Sequence, residues 1–305
     1  MPGGPEPDLP LPLRLIRAGL RRLNISLSRR REKSGWKPYA GTGSFPQIEA
    51  ALRKLQFAHP ETTSYFEKHF PRLLRTLSLV PRPTGAGRAL ELGSYLQMAP
   101  VLRFELGYEQ VRAADYGAGG THQKSVRYGE TCAEFEVDLF DAERDAFPYP
   151  DAHFELVLAC ELIEHMLFDP MHLLLESRRV LEEGGRILIT TPNIASLTSV
   201  ARVLHGHDNP QIHSKYKIAG TGHRSDSQHM REYTMAELGD LVRAAGFEIE
   251  HLFTEPIAEY SFYQALLLFL EENGYSPADR GEQSYCVARK RAALPVTRYP
   301  SFLYE

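Results

Sequence analysis

From residue 88 onward, short unbroken apolar runs alternate with stretches in which apolar residues recur every three or four positions. Runs of roughly four to eight apolar residues bounded by turn formers read as buried strands, and the three-to-four recurrence reads as helix. Strands are expected at 89–92, 111–114, 134–137, 154–159, 186–191, 247–252 and 285–288. Helices are expected between most of them, at 97–106, 161–166, 170–181 and 235–245. Strand–helix alternation at this spacing implies right-handed crossovers and parallel pairing. The central runs are apolar at every position, as burial on both sheet faces requires. The pattern therefore predicts an α/β fold with seven strands, a mainly parallel sheet and helices on both faces.

Before residue 88 the pattern is purely helical, most clearly at 50–55 and 65–79, with breaks at Gly35, Gly41, Gly43 and Pro60. A Pro- and Gly-rich junction at 80–87 separates this N-terminal helical extension, residues 1–85, from the α/β domain expected at 86–292. Residues 1–10, rich in Pro and Gly, are expected to lack structure. Residues 194–230 read as a substrate-covering loop and 293–305 as a C-terminal tail. That loop is rich in histidine, but at irregular spacings that do not define a metal tract. An apolar helical patch around Phe262, Tyr263 and Leu266 reads as core.

Charge changes this picture at one end only. The 305-residue chain carries a net charge of −4, yet residues 1–37 hold nine Lys or Arg against three acids, or +6, leaving −10 for the remainder. Leu13, Ile16, Leu20, Leu23 and Leu27 recur at helical spacing with Arg14, Arg17 and Arg21 on another face. Such a basic amphipathic segment within residues 11–37 suits a peripheral membrane surface or an acidic partner, or packs as a solvated extension. The acidic remainder disfavours a general nucleic-acid-binding surface. Three widely spaced cysteines, Cys132, Cys160 and Cys286, form no disulfide framework or thiolate zinc motif, which fits a reducing, cytoplasmic setting. No apolar run approaches the roughly 20 residues that cross a bilayer.

Candidate chemistry gathers just after the expected strands, where open parallel sheets bind ligands. The stretch Arg88-Ala-Leu-Glu-Leu-Gly-Ser-Tyr95 reads as a first strand and nucleotide loop of a Rossmann-like sheet. It lacks the Gly-x-Gly-x-x-Gly that a dinucleotide pyrophosphate needs, which argues against a nicotinamide dehydrogenase. Glu91 and Gly93 close the first strand, Asp115 the second and Asp138 the third. The spacing from Glu91 to Asp115 suits an acid that accepts from ribose hydroxyls. Asp138 either takes an adenine amino group or caps its own turn.

A longer ordered set follows. Phe147-Pro-Tyr-Pro-Asp-Ala-His-Phe-Glu155 leads through an apolar run to Glu161-Leu-Ile-Glu-His165, then to Arg179-Val-Leu-Glu-Glu-Gly-Gly185. Later come His229-Met-Arg-Glu-Tyr-Thr234, Ala245-Gly-Phe247 and Tyr285-Cys-Val-Ala-Arg-Lys290. Across roughly residues 86–290 this chain resembles the class I S-adenosylmethionine-dependent methyltransferases, in particular members with a Glu-x-x-Glu-His run. Glu155 replaces the family's usual Asp. The resemblance implies that Glu91 faces the methionine ammonium and that Gly93 and Ser94 let the cofactor approach the backbone. It implies Asp115 at the ribose, Asp138 and Leu139 at adenine, and Cys160 under the sulfonium. Tyr95 stands where the family usually has a second glycine, so a side chain there narrows or closes the cofactor site. A cofactor with two cationic centres and no phosphate suits carboxylates rather than a glycine nest.

Methyl transfer needs orientation, plus a base where the acceptor must lose a proton. Glu161, Glu164 and His165 would share one face of a helix. Glu161, His165 and His229 are the catalytic candidates. The set Glu161, Glu164, His165 and His229 also has the composition of a divalent-metal site, as in some relatives, although a metal-free pocket is preferred. The expected activity is S-adenosylmethionine-dependent O-methylation of a small molecule or of a glycan or lipid precursor. The rivals are a non-catalytic methyltransferase fold acting as a scaffold, favoured by Tyr95 and the basic segment, and a nucleic-acid methyltransferase.

Overall fold

A computed structural model describes residues 44–206, 209–211, 228–257 and 264–305 of the chain. Two compact units emerge. The larger takes in 38–257 and 278–305, and the smaller takes in 258–277 together with 1–37. The basic segment at 11–37, most of the histidine-rich stretch and the expected patch residues Phe262 and Tyr263 lie outside the described residues. Within the smaller unit a helix spans Gln264–Glu272, with Leu270 buried and Phe269 exposed.

The larger unit begins with α1 (Phe45–Leu52), the two-residue β1 (Leu55–Gln56) and α2 (Pro60–Ser78). β2 (Arg88–Leu92), α3 (Ala99–Phe104), β3 (Gln110–Asp115), β4 (Thr121–Tyr128) and β5 (Thr131–Leu139) follow. Next come β6 (Phe154–Cys160), a single 3₁₀ turn (Ile163–His165), α4 (Pro170–Val180) and β7 (Leu181–Pro192). The chain continues through α5 (Leu197–His205), α6 (Met235–Ala244), β8 (Phe247–Glu255) and, after the helix of the smaller unit (α7), β9 (Gln283–Lys290). One nine-stranded sheet results, in the order β1-β4-β5-β3-β2-β6-β7-β9-β8. β5, β3, β2, β6 and β7 pair in parallel, and β9 runs antiparallel between β7 and β8. All seven expected strands are present in a mainly parallel, Rossmann-like sheet. Strand order reverses beside β2, so the carboxyl ends of β2, β3 and β6 open one crevice.

The structure adds β4 and β1 to the expected seven strands. Between β3 and β5 the chain makes no crossover helix. It turns through Gly119 and Gly120, both near φ +98°, and returns as β4, antiparallel to β5. β4 is mostly polar and alternates exposed positions with half-buried and, at Val126 and Tyr128, buried ones, so it carries no apolar run to announce it. The histidine-rich segment begins with a helix rather than a loop. Ser196 caps α5 by accepting from Ser199 N, and Gly206 ends it at φ +70°. The helix expected at 161–166 shrinks to the 3₁₀ turn because Glu161 sits in the left-handed region, φ +52°. The core gathers on β2, β6 and β7, where Leu90, Val157, Ile187 and Ile189 are inaccessible to water. No helix among the described residues is long and apolar enough to cross a membrane.

Candidate active site

The site forms from the loops that leave the carboxyl ends of the parallel strands. Glu91 lies near the end of β2, buried, and its Oε2 accepts from Ala99 N at 2.9 Å, capping α3. Burial raises its pKa to about 7 against hydrogen bonds from Ser94, Ala99 and Met98 that favour the charged form. The cofactor loop is folded on itself. Gly93 has φ +63°, Ser94 N donates to Ala114 O at 2.9 Å, and Ser94 Oγ accepts from Leu96 N at 3.0 Å. A side chain on Gly93 would meet only Leu162, at 3.7 Å, so the glycine serves the backbone turn and leaves the space above it open. Tyr95 points outward, 55% exposed, with its ring 5.7 Å from that of Tyr65 on α2.

Asp115 ends β3 half-exposed, accepting from Tyr116 N at 2.8 Å and pairing with Lys124 at 3.0 Å. Asp138 is committed elsewhere. Its Oδ1 accepts from Arg112 at 2.6 Å and Thr121 at 2.5 Å, and its Oδ2 from Arg112 at 3.0 Å and Tyr149 at 2.7 Å. Arg112 Nη2 also reaches Oδ2 at 2.7 Å, so both oxygens are filled, and the Arg112 guanidinium helps hold the pKa down against burial. Leu139 donates its N–H to Gly120 O and lies against Gly117, where a Cβ would come within 2.9 Å. Between these loops a cavity of about 330 Å³ is lined by Gly119, Gly120, Thr121, Asp138, Leu139 and Phe140. It lies where the family's adenine is expected. A larger groove, about 880 Å³, runs over the amino-terminal halves of β3 and β5 and touches none of the catalytic candidates.

At the end of β6, burial pushes the Cys160 thiol up to about 12. Glu161 follows with Oε1 accepting from Thr190 Oγ1 at 2.8 Å and Gln283 Nε2 at 2.7 Å, while Oε2 pairs with Arg72. It does not face the histidines as a helical spacing predicts. Glu164, His165 and His229 do come together, each offering a ligand atom within 4.8 Å of the others. Met230 N and Arg231 N both donate to Glu164 O, which delivers His229 to the turn. The two rings stand edge to face, centroids 5.0 Å apart.

Their protonation follows from their partners. His165 Nδ1 lies 3.0 Å from Gln228 O, which only accepts, so Nδ1 carries the hydrogen. His229 Nδ1 lies 2.7 Å from Glu232 Oε1 and donates to that carboxylate. On each ring Nε2 is then the basic nitrogen. Glu164 is inaccessible to water. Its Oε2 accepts from Thr191 at 2.8 Å, and its Oε1, without a hydrogen bond, lies 4.0 Å from His229 Nε2. Burial raises its pKa well above the carboxylate range. Arg72, Thr190 and Gln283 were not legible as site residues, since nothing local to them marks a ligand and they lie far from Glu161 in sequence.

A family model described as a methyltransferase domain matches residues 65–252, and the chain belongs to that family. A probable S-adenosylmethionine-dependent methyltransferase of Mycolicibacterium smegmatis is 32% identical over 114 residues, 37% of this chain and 36% of that protein. A second from Mycobacterium tuberculosis is 28% identical over 138 residues, 45% of this chain and 40% of the relative. The chain thus matches well under half the length of these relatives. A crystal structure of a possible histamine N-methyltransferase from Thermotoga maritima aligns with TM-score 0.47 at 17% identity, covering 81% of this chain and all of that one. The family's cofactor is S-adenosylmethionine, and the residues present fit it. Buried Glu91 is a carboxyl that a cationic group would suit, the space above Gly93 is open, and the amide nitrogen of buried Gln97 in the same loop lacks a hydrogen-bond partner.

Proposed function

We propose that this domain methylates an oxygen of a small molecule, or of a glycan or lipid precursor, using S-adenosylmethionine. The observation that carries the reading is the pairing of two imidazoles, His165 and His229, with ring centroids 5.0 Å apart just after β6. When bound, the cofactor supplies an electrophilic methyl group on a sulfonium. Glu91, Gly93, Ser94 and Asp115 would hold it, with Leu139 at the adenine side, Cys160 toward the sulfonium and Asp138 bracing the adenine wall. His229 is the better base, because the Glu232 carboxylate stabilises the imidazolium that forms. Its Nε2 would take the proton of an acceptor hydroxyl held beside it. His165 orients the acceptor. Glu161, saturated by Arg72, Thr190 and Gln283, shapes the pocket. Tyr95 folds toward Tyr65 and edges the pocket without filling it.

Replacement His229→Asn is expected to lower kcat on the order of a hundredfold while S-adenosylmethionine affinity holds. Calorimetry paired with a labelled-methyl assay over hydroxylated acceptors measures both. Absence of S-adenosylmethionine binding to the folded protein would sink the reading.

Glu164 Oε1 favours a second reading, in which Glu164, His165 and His229 hold a divalent cation that activates the acceptor oxygen. The hydrogen bonds from each Nδ1 to a carbonyl and a carboxylate are those that orient metal-ligating histidines. Activity that is lost in a chelator and restored by a divalent ion supports this reading, and activity indifferent to chelation supports the base.

A further inference from the structure

One face of α2 carries Tyr65, His69 and Arg72, spaced so that all three point the same way. The Tyr65 and His69 rings lie 4.3 Å apart, and the Tyr65 hydroxyl accepts from Arg72 Nη2 at 3.0 Å. Arg72 then reaches the end of β6, its side chain only 9% exposed, and pairs with Glu161. Glu161 is held from three sides by Arg72, Thr190 and Gln283, on a backbone locked in the left-handed region. Burial opposes the Arg72 charge, but Glu161 together with Tyr65 outweighs it and raises the pKa. The electrostatic influence of Arg72 extends to Cys160 and Glu164, that of Glu91 to Cys160. Of the acidic groups near the end of β6, Glu161 is the one that pairs with the guanidinium directly.

Resting on the cofactor reading above, we propose that Arg72 is a positioning residue that sets the charge of the methyl-transfer end by neutralising Glu161. The consequence concerns the difference between cofactor and product. S-adenosylmethionine bears a sulfonium, and S-adenosylhomocysteine a neutral thioether. An unneutralised Glu161 would stabilise the sulfonium before transfer more than during it, where positive charge is being dispersed, and would slow the reaction. The ion pair with Arg72 leaves Glu161 in place as a hydrogen-bond acceptor and cancels its field.

The test is the ratio of dissociation constants for S-adenosylhomocysteine and S-adenosylmethionine, measured by calorimetry at pH 8 on the intact chain. Arg72→Met is expected to raise that ratio on the order of tenfold, because the Glu161 carboxylate at the end of β6 loses its counter-charge. Glu161→Gln, which keeps the side chain's shape, is expected to lower it by a similar factor. The double replacement returns it close to wild type. Thermal melts confirm that each variant folds, and if Arg72→Met does not, Glu161→Gln carries the same test with opposite sign. A purely structural ion pair weakens both ligands together, and an unchanged ratio overturns the proposal. Wild-type protein that binds neither ligand overturns the cofactor reading and this inference with it.

Discussion

Glu91 shows how one side chain couples the cofactor to pH. Its carboxyl is raised to about 7 by burial, so near neutrality it holds a proton that the unfolded chain releases. The folded state then binds more protons than the unfolded between the ordinary carboxylate range and about 7, so Glu91's contribution to stability falls as pH rises through that window. A cationic ligand reverses the preference by favouring the carboxylate. S-adenosylmethionine affinity is therefore expected to strengthen between pH 6 and 8, with proton release visible as a buffer-dependent calorimetric enthalpy, and Glu91→Gln should flatten that dependence. The placement of Glu91 and Gly93 at the first turn was legible from sequence because it belongs to the backbone that carries them. The commitments of Asp115 to Lys124 and of Asp138 to Arg112 and Tyr149 were not, because those partners stand on neighbouring strands or beyond.

Among the elements, the junction before β2 depends on a single carboxylate. Glu155, at the position where the family usually has Asp, accepts from the N–H groups of Thr84, Gly85 and Gly87 at 2.7, 2.9 and 2.5 Å. Burial would raise its pKa, but these donors hold it below the usual range. Its contribution is present at neutral pH and lost as the pH falls through the folded-state pKa. Glu155→Ala, which strands three donors, is expected to cost about 3 kcal/mol in denaturant titrations at pH 7. α6 begins with a reciprocal cap, Thr234 Oγ1 accepting from Glu237 N and Glu237 Oε2 from Thr234 N. Thr234→Ala should lower stability by about 1 kcal/mol, read as a shift in the same unfolding midpoint. Elements built on apolar runs or caps, such as β6, β7 and α6, could be read from sequence. The polar β4 and the 3₁₀ turn at Ile163–His165 could not. Pairing with β5 makes the first, and the left-handed Glu161 restricts the second.

Across the larger unit, sheet order and carboxyl-end loops concentrate the chemistry in one crevice, which is why strand-ending residues were informative before any geometry was available. What sequence order concealed was the division of labour between the two sides of the 80–87 junction. The family match starts at residue 65, within the stretch read as extension, and α2 sends Arg72 into the same crevice as β6. An α/β domain begun at residue 86 would therefore keep every cofactor loop and lose the guanidinium that balances it.

That reach of Arg72 has a dynamic consequence. Since an ion pair fastens α2 to the end of β6, a cation brought beside Glu161 competes with Arg72 for that carboxylate, and by reciprocity the seating of the helix answers to the charge of the ligand. Amide protons along Pro60–Ser78 should thus exchange with solvent deuterium faster with S-adenosylmethionine bound than with S-adenosylhomocysteine bound, although most of that helix lies outside the loops assigned to the cofactor. In this way the helix becomes a built-in reporter of the ligand's charge.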